Sequence, residues 1–183
     1  RRGTWDNTLV VFSADHGEMI GAHGHMGKGR FHEESARIPL VIRWPGRIGP
    51  GRRTPALAQL FDIYPTIVEA IGGELSQGHF AKSMLPVAGG AVKSVRDAVF
   101  SEIGRQPPLN YMVRMTHYVW WVHRRKEALY DLETDPYQMQ NLIDSPQHGD
   151  VLDEIRARHL RYFMETQSNR SANYIPRLTR MKD

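Results

Sequence analysis

Residues 8–28 read TLVVFSADHGEMIGAHGHMGK, and the fold turns on how this stretch is placed. Thr8 to Phe12 is a continuous apolar, β-rich run, the pattern of a strand covered on both faces in a parallel sheet. A strand that stops at Ser13 sets Asp15 and His16 at its carboxyl end, where open α/β sheets place their ligand crevices. A carboxylate oxygen beside an imidazole nitrogen can hold a divalent ion if the backbone turns there and aims both inward. The same dipeptide serves equally well with Asp15 capping the turn and His16 as a hydrogen-bonded loop histidine. Glycines at 17, 21, 24, 27 and 29 let residues 17–36 fold back closely over an ion or anion. Lys28, between two of them, carries a flexible ammonium able to reach a sulfate or phosphate oxygen, although a lone loop lysine is normally only a solvated charge. His23, His25 and His32 are candidates for acid–base or substrate contact, with polar packing as the plain alternative. Glu33, Glu34 and Arg37 are expected to tie the loop to the scaffold through ion pairs.

Working outward, 183 residues make one large domain, or a domain with a subdomain, able to bury a real core. An apolar fraction of 40% with 24% charged residues argues against general disorder. No transmembrane run occurs in the sequence. The 24 Lys and Arg against 20 Asp and Glu are scattered apart from Arg52-Arg53 and Arg124-Arg125-Lys126, so nucleic acid is a weak reading and a mild positive field suits an anionic substrate. Zero cysteines exclude disulfides and thiol chemistry. Arg1 to Asn7 reads as the middle of a protein rather than a start, so an upstream segment is expected and compartment is left open.

Along the chain, Ile38 to Trp44 is a second apolar strand, ended by Pro45-Gly46 and expected to pair near the first. Ala58 to Ile71 has a helical period, with Pro65 in the first turn of the main helix and Gly72-Gly73 closing it. Ala88 to Ala91 reads as a flexible joint. Ala98–Glu102, Tyr111–Met115, Tyr118–Val122 and Ala128–Leu132 alternate as antiparallel strands, the middle two joined across Thr116-His117. Trp120, Trp121 and Tyr118 are expected in their core. Asp150 to Glu165 is an amphipathic helix, and the polar residues from Gln167 onward read as a tail. These elements give an α/β fold: residues 1–92 as a main sheet portion, 93–166 as an α+β subdomain of antiparallel strands plus helix, and 167–183 as the tail.

The ordered series Asp15-His16-Gly17-Glu18, Gly21, His23-Gly24, Gly27-Lys28-Gly29, Phe31-His32-Glu33-Glu34-Ser35 and Arg37-Ile38-Pro39-Leu40 resembles the carboxy-terminal half of a sulfatase. This is the formylglycine-dependent branch of the alkaline phosphatase superfamily. The likeness runs on through Trp44-Pro45-Gly46, Asp62-Ile63-Tyr64-Pro65-Thr66, Leu129-Tyr130-Asp131-Leu132, Asp135-Pro136 and Asn141-Leu142. It implies an alkaline-phosphatase-like sheet, with Asp15 and His16 as ligands of a divalent metal, most readily calcium with manganese or magnesium open. It implies Lys28 as the sulfate contact that steadies the leaving oxygen, and a small-molecule or saccharide sulfate ester as substrate. Ala22 stands where the family often has an acid. The Cys-x-Pro-x-Arg or Ser-x-Pro-x-Arg segment whose first residue becomes formylglycine does not occur in the sequence, and neither does the earlier strand that supplies two further acidic ligands. The chain alone is therefore expected to be inactive and to bind metal weakly. The alternatives are a phosphonate monoester or phosphodiester hydrolase of the same superfamily, and a noncatalytic fragment forming a homo-oligomer through an exposed sheet edge. Neither a nucleic acid nor a membrane is expected as partner.

Overall fold

A computed structural model of the chain describes residues 3–75, 80–104 and 110–179, with side chains described as far as residue 166. Arg1-Arg2, part of the Gly- and Ser-bearing stretch after Gly73, and the last four residues of the expected tail lie outside the described residues. Strands β1 (Val10–Ser13) and β2 (Leu40–Arg43) form an antiparallel ribbon with Phe12 opposite Val41 and Ser13 opposite Leu40. The pairing of the two apolar runs agrees with expectation, but their direction does not. Among the described residues neither run has a parallel partner, and Phe12 and Val41 are 60% and 55% exposed instead of covered. An apolar run encodes burial without naming a partner, and among the described residues only β2 pairs with β1.

A 3-10 turn at Leu60–Asp62 leads into helix α2 (Ile63–Ala70), with Pro65 in its first turn. Gly72 takes φ +71° and donates to Glu69 O, while Gly73 donates to Val68 O, the paired bonds that close a helix through a left-handed residue. Asp62 is fully buried, yet saturated. Its carboxylate accepts from the backbone N–H of Gln59 and of Lys82, both at 2.8 Å, and from the Arg96 guanidinium at 2.6 Å. Thr66 extends the knot, donating to Asp62 O and accepting from Met84 N–H. The stretch read as a flexible joint is instead partly helical: α3 (Leu85–Gly89) has Pro86 in its first turn, and Gly90 ends it at φ +86°.

Strands β3 (Ala98–Ile103), β4 (Asn110–Met115), β5 (Tyr118–His123) and β6 (Lys126–Asp131) follow as an antiparallel meander in sequential order. Their period-2 alternation sends Met112, Val119, Ala128 and Tyr130 to one face and Ala98, Val113, Trp120 and Leu129 to the other. The second face receives Ile155 of helix α4 (Gly149–Thr179), along with His159, which packs between Tyr111 and Trp120. Helix α4 runs past Glu165, where the amphipathic pattern ends, and on to Thr179, so most of the residues expected as a tail from Gln167 are helical instead. The first face receives Phe31 from the glycine-rich loop, and Phe31 is 2% exposed. The meander thus sits between a helix and the segment that carries the candidate chemistry.

Candidate metal and anion site

Asp15 and His16 leave the carboxyl end of β1 in a tight arrangement of local hydrogen bonds. The His16 backbone N–H donates to Asp15 Oδ1 at 3.0 Å, a bond between adjoining residues. His16 Nδ1 lies 2.7 Å from Gly17 O, an acceptor only, so Nδ1 carries the proton. The network assigns the remaining nitrogen, Nε2, as a lone pair, and Lys28 Nζ donates to it at 2.6 Å. Asp15 Oδ2 is 3.4 Å from the same nitrogen. One imidazole lone pair and one carboxylate oxygen therefore converge where a cationic group already sits. Sequence reasoning placed Asp15, His16 and Lys28 together, and the structure brings them together.

The backbone N–H of Gly17 donates to Ser35 O, and a Cβ at Gly17 would stand 2.0 Å from Glu34 O, so only glycine permits this crossing. Met19 N–H donates to Gly27 O and Gly21 N–H to His25 O, folding residues 17–28 into a narrow excursion over a buried Met19. Ile20 and His23 adopt positive φ, 44° and 52°; for β-branched Ile20 this is a strained conformation.

Beyond Lys28 the loop is clamped to the meander. Glu33 N–H donates to Gln138 Oε1 at 2.7 Å, which caps the short helix α1 (Glu33–Ala36). Glu33 also meets Arg114 at 3.3 Å and Arg37 at 3.8 Å, the scaffold ties expected of it. His23 stacks on His32 with ring centroids 4.0 Å apart and faces Glu34 at 3.9 Å, while His32 meets Trp121 edge-on at 5.6 Å. Trp120 is core as expected, but Trp121 only partly so, since its ring closes over His32. Burial, reinforced by His23, His25 and Arg30 and opposed by Glu34, holds the His32 pKa down at about 4. His23 therefore stands in a packed stack with His32 and Glu34. His25 contributes its backbone to the turn and its charge to His32 and His123.

His123 was not legible as a site residue. It ends β5, with Nδ1 3.4 Å from Arg30 and its ring against Phe31. The only sequence signal was a histidine closing a strand just before Arg124-Arg125. Among the described residues no group of three or more His, Asp or Glu side chains could hold a metal ion. Asp15 and His16 fit a divalent ion as two of its donors, and a hard oxygen beside an imidazole nitrogen suits calcium, manganese or magnesium.

Comparison with known proteins follows these elements. The family model described as N-sulphoglucosamine sulphohydrolase, C-terminal, matches residues 21–165. An arylsulfatase of Clostridium perfringens is 28% identical over 159 residues, 84% of this chain and 33% of that protein. The structure of BT4656 in complex with its substrate D-glucosamine-2-N,6-O-disulfate superposes with a TM-score of 0.80 and 26% identity, over 94% of this chain and 36% of that one. The phosphonate monoester hydrolase of Agrobacterium radiobacter gives 0.70 and 29%, over 93% and 36%. The chain spans about a third of the length of the curated relatives it matches.

Proposed function

The chain belongs to the sulfatase family, in the region described as the C-terminal part of N-sulphoglucosamine sulphohydrolase, and from that premise we propose that it supplies half of a metal-dependent sulfate ester hydrolase site. The observation that carries the reading is the meeting of Asp15 Oδ2, His16 Nε2 and the Lys28 ammonium at the end of β1. A divalent ion bound there would supply Lewis-acid stabilisation of charge on the transferred group. Asp15 and His16 would hold it, with His16 kept in the right tautomer by Gly17 O. Lys28 has to leave Nε2 for that lone pair to serve as a ligand. Its exposed, four-carbon stem then brings the ammonium to a sulfate oxygen, where positive charge stabilises the leaving group. The nucleophile, expected to be formylglycine, and the remaining acidic ligands would come from sequence this chain does not contain.

The substrate class is a sulfate ester of a small molecule or saccharide, a reading supported by the disulfated glucosamine that BT4656 takes as substrate. A phosphonate or phosphodiester is the second reading, favoured by the likeness to the Agrobacterium enzyme and by the His16 nitrogen in the ligand pair. Calorimetric titration with calcium, together with turnover of an aryl sulfate and a phenylphosphonate ester, tests these statements. The chain alone should turn over neither ester and should bind calcium weakly, with binding lost in Asp15→Ala. Turnover by this chain alone that Asp15→Ala removes would overturn the half-site. A strong preference for phosphonate, in a polypeptide that also carries the nucleophile segment, would overturn the sulfate assignment.

A further inference from the structure

Two residues past Lys28, the loop enters a cluster of cations that the site so far described does not use. Arg30 lies 3.4 Å from His123 Nδ1, and the charged groups that reach His123 are Arg30, Arg124 and His25. All are cationic or become so on protonation, and no carboxylate is among them. Burial and then these neighbours together push the His123 pKa below its ordinary value, as expected where like charges gather in partial burial. Ion pairs elsewhere in the described chain engage Arg37, Arg43, Arg96, Arg114, Arg156 and Arg158, but none engages Arg30 or Arg124.

The backbone adds a second observation. The β5–β6 turn holds Arg124 at φ 51° and Arg125 at φ 65°, a two-residue hairpin in which asparagine and glycine are the unstrained choices. Two arginines are instead held in left-handed conformations, fixed in part by Arg124 N–H donating to Asn110 Oδ1. A third observation lies beside them. Trp121 Nε1, His32 Nδ1 and the carboxylate oxygen Glu34 Oε2 are buried without a hydrogen-bond partner, so the stack beside the cations holds an orphaned acceptor as well as an orphaned donor and bounds the patch on that side. Glu34, the carboxylate that reaches His32, also lies 3.9 Å from His23 Nε2.

Arg30, Arg124 and His25 gathered round His123, with no carboxylate paired to Arg30 or Arg124 among the described residues, form a positive patch that suits an anion. We propose that the junction of residues 25–30 with the end of β5 binds a second anionic group of the substrate, through Arg30, Arg124, His25 and His123. This rests on the reading of Lys28 as the contact for the scissile sulfate. Two residues of extended chain span at most about 7 Å, so Lys28 and Arg30 can serve two acidic groups of one sugar-sized molecule. The substrate class narrows accordingly, from any sulfate ester to one that carries a second sulfate or carboxylate.

Titration of the chain with glucosamine 6-sulfate, and with the same sugar carrying a second sulfate, followed by tryptophan fluorescence, tests the proposal. The disulfated sugar should bind about tenfold more tightly, about 1.4 kcal/mol. Arg30→Gln, and separately the exposed Arg124→Gln, should bring that ratio below twofold. Equal affinities in the wild type, or a ratio that both variants leave intact, would overturn the second-anion site. Lys28→Ala should weaken both sugars alike. If it changes neither while Arg30→Gln still collapses the ratio, the second-anion site stands and the role given to Lys28 falls.

Discussion

The two sheets of this molecule are built from similarly apolar strands and live in opposite surroundings. The β3–β6 meander is covered on both faces, with Val113, Val119 and Leu129 fully buried, whereas the β1–β2 ribbon shows solvent Phe12 and Val41 directly opposite each other. The chemistry-bearing residues stand on the poorly covered sheet, and the well-covered one holds them in place. Phe31, Glu33, His32 and Arg30 each reach from the site loop to a residue on or next to the meander. Precision at Asp15, His16 and Lys28 is thus set from the carboxy-terminal side, by a layer that carries none of the expected metal ligands.

The strongest way to break this division is at the knot that joins the regions. Asp62→Ala would leave the Arg96 guanidinium buried beside two backbone N–H groups that have lost their acceptor. Removing one partner of such a buried pair costs about 3–5 kcal/mol. Urea unfolding should show that loss in a single transition if the ribbon and the meander fold together; a loss below about 1 kcal/mol would mean that the knot does not hold them.

A smaller effect sharpens how the loop is clamped. His32 titrates near pH 4 in the folded chain against 6.5 when unfolded, so between those values only the unfolded chain binds the proton. Stability should therefore fall as the pH drops from 6.5 to 4 and level off below. The span of about 2.5 units caps the change at about 3 kcal/mol. His123 and His159, also depressed chiefly by burial, act in the same direction, so His32→Gln should flatten the slope without abolishing it. An unchanged slope in His32→Gln would remove the stack from the account.

The same contrast explains what the sequence could convey. Strands β3 to β6 were legible to within two residues because alternation and turn residues encode a two-faced sheet locally, as at Val113 and Trp120. The motif around Asp15, His16 and Lys28 was legible because it is continuous in the chain. The antiparallel direction of β1, the burial of Asp62 against Arg96 and the place of His123 were not. Each depends on a partner 27 or more residues away that no local pattern names.

The smallest expected effect bears on the exposed ribbon itself. Leu129→Ala, in a fully buried site, should cost about 2–5 kcal/mol, since it removes packed atoms and leaves a cavity. Phe12 is 60% exposed, so Phe12→Ser should change the stability of this chain by no more than about 0.5 kcal/mol. If the ribbon's apolar face pairs with a second copy, however, sedimentation at high concentration should show association in the wild type, and Phe12→Ser should reduce it. A clean monomer in both removes self-association as a role for this face. A loss of several kcal/mol on Phe12→Ser, in a monomer, would show the ribbon to be packed after all and would erase the contrast between the two sheets.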